Sequence, residues 1–175
     1  MDAAGPDPFN LERFVLAQNF GGTFAAALAE VQAGRKTSHW MWFIFPQVDG
    51  LGHSWMARKY SIETVEEARA YLAHPLLGPR IAEISEAVLR LAEVGQAARA
   101  DDIFGVIDAL KLRSSMTLFA IASEGGGGAG DKGGTEGTRN AGAAASTIFD
   151  RVIGAYFGGK RDAATENRLQ RVSLG

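Results

Sequence analysis

The chain has 175 residues, of which 46% are hydrophobic and 22% charged, with a formal net charge of -2 and no cysteine. This length and composition are typical of one globular domain that buries a core without disulfides. The absence of cysteine excludes disulfides, thiolate nucleophiles and thiolate metal sites. Scattered basic residues argue against a nucleic-acid-binding face, and no apolar run reaches the roughly 20 residues that a membrane span needs.

The N-terminal segment, residues 1–10, is acidic and contains prolines, unlike a secretory signal or a transit peptide. We therefore expect a cytoplasmic protein. Asp7 is expected to cap the first helix, with Pro8 at its first helical position. The glycine pair at 21–22 ends that helix, and a second helix is predicted over 23–33.

An aromatic-rich run, WMWFIFP, occupies residues 40–46. Its apolar residues follow neither a period of 3.6 nor a period of 2, so the pattern does not distinguish a helix from a strand. Its composition predicts burial in either case. His39 borders the run and is expected to be at least half buried.

Helical patterns dominate the rest of the chain. Thr64 and Glu67 form a capping-box pattern before a short helix that ends at residue 73. Further helices are predicted over 76–94, 107–123, 147–156 and 163–172. Nine glycines fall between residues 123 and 146, which predicts a flexible glycine-rich loop insertion at 124–146. The fold class is therefore mostly α: a single compact multi-helix domain spanning 1–175, with one buried aromatic-rich segment.

The predicted helix over 107–123 carries charged and apolar groups on one face. Asp108 and Lys111 share a stripe with Leu112, Ser115 and Phe119, because steps of three and four return to the same side of a helix. The two charged residues form either a partly buried ion pair or two walls of a polar pocket. Both interpretations stay open.

Other side chains with chemical potential are the histidines and the large aromatic residues. No two histidines have the spacing of metal ligands on one helix, so no metal site is expected, and no cofactor is indicated. Rings such as Trp40, Trp42, Trp55 and Tyr60 could stack on a flat base, although rings in small helical domains usually belong to the core.

Four motifs together resemble an uncharacterised bacterial family, the domain-of-unknown-function family 1810 (DUF1810). They are Asp7-Pro8-Phe9-Asn10-Leu11-x-Arg13-Phe14; Gly34-Arg35-Lys36-x-Ser38-His39-Trp40-Met41-Trp42-Phe43-Ile44-Phe45-Pro46-Gln47; Tyr71-Leu72-x-His74-Pro75-Leu76-Leu77-Gly78-x-Arg80; and Phe104-Gly105-x-x-Asp108-x-x-Lys111-Leu112-x-Ser114-Ser115-Met116-Thr117-Leu118-Phe119. Members are often labelled calpastatin, but calpastatin inhibitor repeats are disordered, whereas this chain is well patterned.

DUF1810 is similar, more remotely, to the all-α YbiA-like superfamily associated with NAD and ADP-ribose (NADAR), some of whose members cleave N-glycosidic bonds. This resemblance implies a carboxylate beside an oxocarbenium-like centre, a cation for a phosphate and a ring for the base. The catalytic candidates are Asp108 and His39. The ligand-binding candidates are Arg35, Lys36, Trp40, Trp42, Gln47, Lys111 and Ser115.

Two functions follow from this resemblance and stay open. One is an N-glycosidase-like hydrolase acting on a nucleotide, ADP-ribose or a related ribosyl compound. The other is a non-catalytic module that binds such a ligand or a protein partner. Convergence of Asp108 and His39 on an open pocket with Arg35 or Lys111 would favour catalysis, whereas a sealed Asp108–Lys111 pair would favour the structural interpretation. The sequence leaves the oligomeric state open.

Overall fold

The structure is a computed structural model that describes residues 5–124 and 139–174. The helices are α1 (Glu12–Asn19), α2 (Thr23–Gln32), α3 (Met41–Ile44), α4 (Trp55–Lys59), α5 (Val65–Ala73), α6 (Leu77–Glu93), α7 (Ala100–Glu124), α8 (Arg139–Phe157) and α9 (Ala163–Ser173), with a 3-10 turn at Phe20–Gly22. The predicted mostly α-helical domain is confirmed, since the described residues contain no extended strand beyond an isolated β-bridge between Val48 and Ile62. Most of the predicted glycine-rich loop at 124–146 lies outside the described residues.

The central element is α7, which packs against α5, α8 and α9. The second half of this helix is buried on most sides, where the polar residues Ser115 and Thr117 are 0% exposed and the large apolar residues Leu112, Met116, Leu118 and Phe119 are all fully buried. Burial of a side chain of this size contributes about 1.5–3 kcal/mol to folding. Within the described residues, no helix combines the length and the apolar character required to cross a bilayer.

The first helix begins later than the sequence predicts. Its first residue is Glu12, because Asn10 adopts a left-handed conformation with φ of 51° and ends a turn over Asp7–Asn10. Pro8 therefore lies in that turn and not at the first helical position. The carboxylate of Asp7 still accepts hydrogen bonds from the N–H groups of Leu11 (2.8 Å) and Glu12 (2.9 Å), as a cap does.

Half of the predicted capping box is present at the start of α5. The Thr64 hydroxyl accepts a hydrogen bond from the Glu67 N–H group at 3.1 Å. The Glu67 carboxylate accepts the N–H group of Glu63 at 2.9 Å, one residue earlier than a standard box requires. Its other oxygen forms a 2.7 Å ion pair with Arg13, which draws the carboxylate toward α1.

The aromatic-rich segment is buried, as predicted, and contains the single helical turn α3. Trp40, Met41, Ile44 and Phe45 are at most 1% exposed. Gln18 of α1 donates a 2.9 Å hydrogen bond to the carbonyl of Phe43, which fixes α3 against the first helix. A buried amide that uses its hydrogen bonds in this way specifies one position for the segment.

A kink at Gly105 divides α7. The predicted helix began at residue 107, so the sequence analysis predicted neither this kink nor the helical residues that precede it. Gly105 has φ of 77° and ψ of 164°, a conformation that residues other than glycine rarely adopt. The helix starts at Ala100 and bends at Gly105. After the bend, Val106, Ile107 and Leu110 face solvent, with 60–72% of each residue exposed.

Replacement of Gly105 by Ala should lower the free energy of unfolding by about 1–3 kcal/mol, because the backbone would be strained although the added Cβ meets no atom within 4 Å. The control is Gly154→Ala in α8, which also has open space but an ordinary backbone conformation. That variant should be about 0.5–1 kcal/mol more stable than the wild type. Urea denaturation measures both, and equal changes of one sign would contradict the kink.

Candidate functional site

A carboxylate between two lysines forms the centre of the candidate site. Asp108 Oδ2 lies 2.9 Å from Lys36 Nζ, and Asp108 Oδ1 lies 3.0 Å from Lys111 Nζ. Burial alone would raise the pKa of Asp108, but the hydrogen bonds from both lysines lower it below its ordinary value. The carboxylate is therefore ionised at neutral pH, and the three groups carry one net positive charge.

Each lysine of this cluster also lies over a tryptophan ring. Lys36 Nζ is 5.1 Å from the ring centroid of Trp40, and Lys111 Nζ is 4.9 Å from that of Trp42. Such cation–π contacts add about 0.5–2 kcal/mol, depending on how far the cation is desolvated. The two rings differ in access, since Trp40 is 1% exposed and Trp42 is half-buried.

The loop that carries Lys36 is held on α2 by Glu30. The Glu30 carboxylate accepts hydrogen bonds from the N–H groups of Thr37 (2.8 Å) and Ser38 (3.1 Å), from the Ser38 hydroxyl, and from the Trp40 indole (2.9 Å). Burial raises the pKa of Glu30, but these donors outweigh it and lower the pKa to about 2. This ionised carboxylate fixes both the loop and the orientation of the Trp40 ring.

A cavity of about 280 Å³ adjoins the lysine cluster. Its lining combines three of the predicted ligand-binding residues with apolar and polar side chains from distant parts of the chain. The lining residues are Trp42, Gln47, Val48, Leu51, Gly52, Ala57, Tyr60, Ile107, Leu110, Lys111, Ser114, Asp162 and Ala164. Lys111 thus belongs both to the charged cluster and to the cavity wall.

One wall of the cavity consists of α4 and the loop before it. Gly52 is required there, because a Cβ at this position would lie 2.6 Å from the Cβ of Ala57. Arg13 donates to the carbonyl of Lys59 at 3.0 Å, which ties the end of α4 to α1. The backbone of Gln47 is held in place beside the isolated bridge, because its carbonyl accepts a hydrogen bond from the N–H group of Ile62 at 2.9 Å.

The lining also includes Asp162, which the sequence analysis did not identify. Asp162 is the N-cap of α9, and its Oδ2 accepts from the Thr165 N–H group (3.0 Å) and the Thr165 hydroxyl (2.6 Å). The Ser114 hydroxyl of α7 lies 3.2 Å from the same oxygen. An aspartate directly before a predicted helix indicates a cap, but only the packing of α9 on α7 places it beside the cavity.

The remaining predicted residues lie elsewhere. His39 is exposed, contrary to the expectation of at least half burial, because the buried part of the chain begins one residue later at Trp40. Arg35 is also exposed, and neither residue lines the cavity. Ser115 is fully buried, and its hydroxyl has no hydrogen-bond partner within the described residues. The structure thus brings Trp42, Gln47 and Lys111 together.

Replacement of Asp108 by Asn should lower the free energy of unfolding by about 1–3 kcal/mol at pH 7, between the values typical of exposed and buried ion pairs. The reason is that Lys36, whose side chain is 8% exposed, would lose its counter-charge. Because folding lowers the pKa of Asp108, its contribution is complete above the unfolded pKa of about 3.9 and is lost as the pH falls through the folded value.

Denaturation at several pH values should therefore show the wild type losing its advantage over this variant in acid. Glu93→Gln is the matched control, since its partner Arg151 and Glu93 itself are both about half exposed. That variant should change stability by less than about 1 kcal/mol. Equal losses in the two variants at pH 7 would show that Asp108 is an ordinary surface charge.

Comparisons with known proteins identify a family whose sequence profile matches the chain and a solved structure with a similar fold. The sequence profile of the family described as "Protein of unknown function (DUF1810)" matches residues 8–127. The fold is similar to the crystal structure of the conserved hypothetical protein Rv1873 from Mycobacterium tuberculosis, with 41% sequence identity and a TM-score of 0.77 over 94% of this chain and 99% of that one. No match was found among curated proteins. The chain belongs to the DUF1810 family.

Proposed function

We propose that the protein binds a small anionic, nucleotide-like molecule, of which ADP-ribose is one example, in the cavity beside the lysine cluster. The observation that carries this proposal is the position of the Lys111 ammonium, 4.9 Å from the Trp42 ring in a cavity with otherwise largely apolar walls. A few convergent polar groups in a mostly apolar pocket are the usual features of a small-molecule site.

The charge of the cluster favours an anionic ligand. Asp108 neutralises one of the two lysines, so one positive charge remains uncompensated within the cluster. The Lys111 side chain is 26% exposed, against 8% for Lys36, and it is the lysine that lines the cavity. A phosphate bound to Lys111 would gain a charge-assisted hydrogen bond, which contributes about 1.5–3 kcal/mol.

The apolar walls favour a flat ring as the other part of the ligand. Trp42 and Tyr60 are aromatic, and Ile107 and Leu110 are 72% and 60% exposed at the edge of the cavity. A bound ring would cover these side chains, and each square ångström of apolar surface removed from water contributes about 25 cal/mol. The amide of Gln47 supplies both a donor and an acceptor for the polar edge of a base.

Binding, and not N-glycosidic cleavage, is the function that the geometry favours. Cleavage requires a carboxylate that faces the sugar carbon of the glycosidic bond and a second group that transfers a proton. Asp108 instead has each oxygen engaged by a lysine, and neither Asp108 nor His39 is among the lining residues. Hydrolysis at this site is therefore a separate hypothesis, which mass spectrometry of the protein–ligand mixture tests.

Titration calorimetry with ADP-ribose tests the proposal. Replacement of Lys111 by Met should weaken binding at least about tenfold, or about 1.4 kcal/mol, because the phosphate would lose its cation. Asp108 keeps its ion pair with Lys36 in this variant, so the fold should survive. Lys160→Met is the matched control, since Lys160 is exposed and does not line the cavity. Equal affinities of all three proteins, or no binding by the wild type, would refute the proposal.

Mass spectrometry of the same mixtures separates binding from hydrolysis. We expect ADP-ribose to be recovered intact after prolonged incubation with the wild type. Released adenine that disappears in the Asp108→Asn variant would instead establish N-glycosidic cleavage that depends on that carboxylate.

A further inference from the structure

The carboxylate of Asp162 uses one of its two oxygens in hydrogen bonds within the protein. Its Oδ2 lies within hydrogen-bond distance of three donors, the Thr165 N–H group, the Thr165 hydroxyl and the Ser114 hydroxyl. Its backbone N–H group donates to the Thr117 hydroxyl at 2.9 Å. Within the described residues, Oδ1 accepts no hydrogen bond from another side chain or from the backbone. The residue is half-buried and lines the cavity.

The surroundings of Asp162 are fixed by α7. Arg113 donates to the carbonyls of Lys160 (2.8 Å) and Arg161 (3.1 Å), so the segment that leads into α9 is tied to the same helix that carries Lys111. Asp162 therefore has little freedom to turn away from the cavity. A rotamer held by neighbouring hydrogen bonds is the condition for precise ligand recognition.

Lys111 and Asp162 are the two ionisable side chains of opposite charge in the cavity lining. An anionic ligand whose phosphate meets Lys111 must present something other than negative charge to Asp162. A free carboxylate oxygen has lone pairs for two donors, and neighbouring sugar hydroxyls provide two donors close together. Hydrogen bonds to an ionised acceptor are about twice as strong as those between neutral groups.

We propose that Asp162 accepts hydrogen bonds from a pair of neighbouring hydroxyl groups on the sugar of the ligand, so that the cavity selects ribonucleotides over their deoxy analogues. This inference rests on the proposed function, since it assigns the sugar contact within the same cavity. A buried polar group that loses its partner is penalised, which is why sites built for a hydroxyl reject ligands that lack it.

The test compares adenosine 5′-monophosphate with its 2′,3′-dideoxy analogue by titration calorimetry. We expect the wild type to bind the ribonucleotide about tenfold more tightly. In Asp162→Asn and Asp162→Ser the preference should fall to about twofold or less, while affinity for the dideoxy compound is retained or rises, because a negative charge is removed from a cavity that binds an anion. Asn and Ser both remain good N-caps, so α9 should be retained.

Thr165→Val is the control for a purely structural role. This change removes a hydroxyl that donates to Asp162 Oδ2 but leaves Oδ1 and the cavity lining intact. The melting temperature should fall, whereas the preference for the ribonucleotide should persist. Equal binding of both nucleotides by the wild type, or an undiminished preference in both Asp162 variants, would overturn the sugar contact and leave the proposed function standing. If the wild type binds neither nucleotide, the sugar contact is overturned, and the proposed function is overturned as well if ADP-ribose also fails to bind.

Discussion

The candidate site depends on one electrostatic constraint, which is that two lysines share a single carboxylate. Lys36 is almost fully buried, and an ammonium in that position requires a counter-charge. Asp108 supplies it and bonds Lys111 with its other oxygen. Because Lys36 belongs to the loop held by Glu30, and Asp108 to α7, the ion pair joins this loop to the central helix, as does the 2.8 Å hydrogen bond that the Lys36 N–H group donates to the carbonyl of Ile103. The same contact places a positive charge beside Trp42, which lines the cavity.

The cavity itself arises where three peripheral pieces meet the central helix. α3 contributes Trp42, the segment through α4 contributes the apolar wall, and the start of α9 contributes Asp162. Each piece is short and has little stability of its own, so each is fixed by side-chain hydrogen bonds: Gln18 holds α3, Arg13 holds the end of α4, and Arg113 holds the approach to α9. The larger helices form the core, and these anchored short segments complete a lining to which α7 contributes Ile107, Leu110, Lys111 and Ser114.

The sequence predicted the helices whose apolar period is strong, including α6, and it identified Asp108 and Lys111 as neighbours on one face. It could not place Trp40 in the core and Trp42 at a cavity, because an aromatic run without a period does not reveal which side faces inward. It also missed the first residues of α7 and the bend at Gly105, because the predicted helix began only at residue 107, after this glycine. The sequence could not place Asp162 at the cavity for another reason. Asp162 contacts Ser114, which lies 48 residues away in the chain, and local sequence patterns carry no information about such a contact.

The most direct test of the central claim is a nuclear magnetic resonance titration of the ¹⁵N-labelled protein with ADP-ribose, followed through the three tryptophan indole signals. The three rings report on different places, since Trp40 is buried and bonded to Glu30, Trp42 lines the cavity, and Trp55 is 64% exposed. We expect the Trp42 indole signal to shift in a saturable way while those of Trp40 and Trp55 change little. A shift confined to Trp55, or no shift at saturating ligand, would contradict a nucleotide-binding cavity beside the Lys36–Asp108–Lys111 cluster.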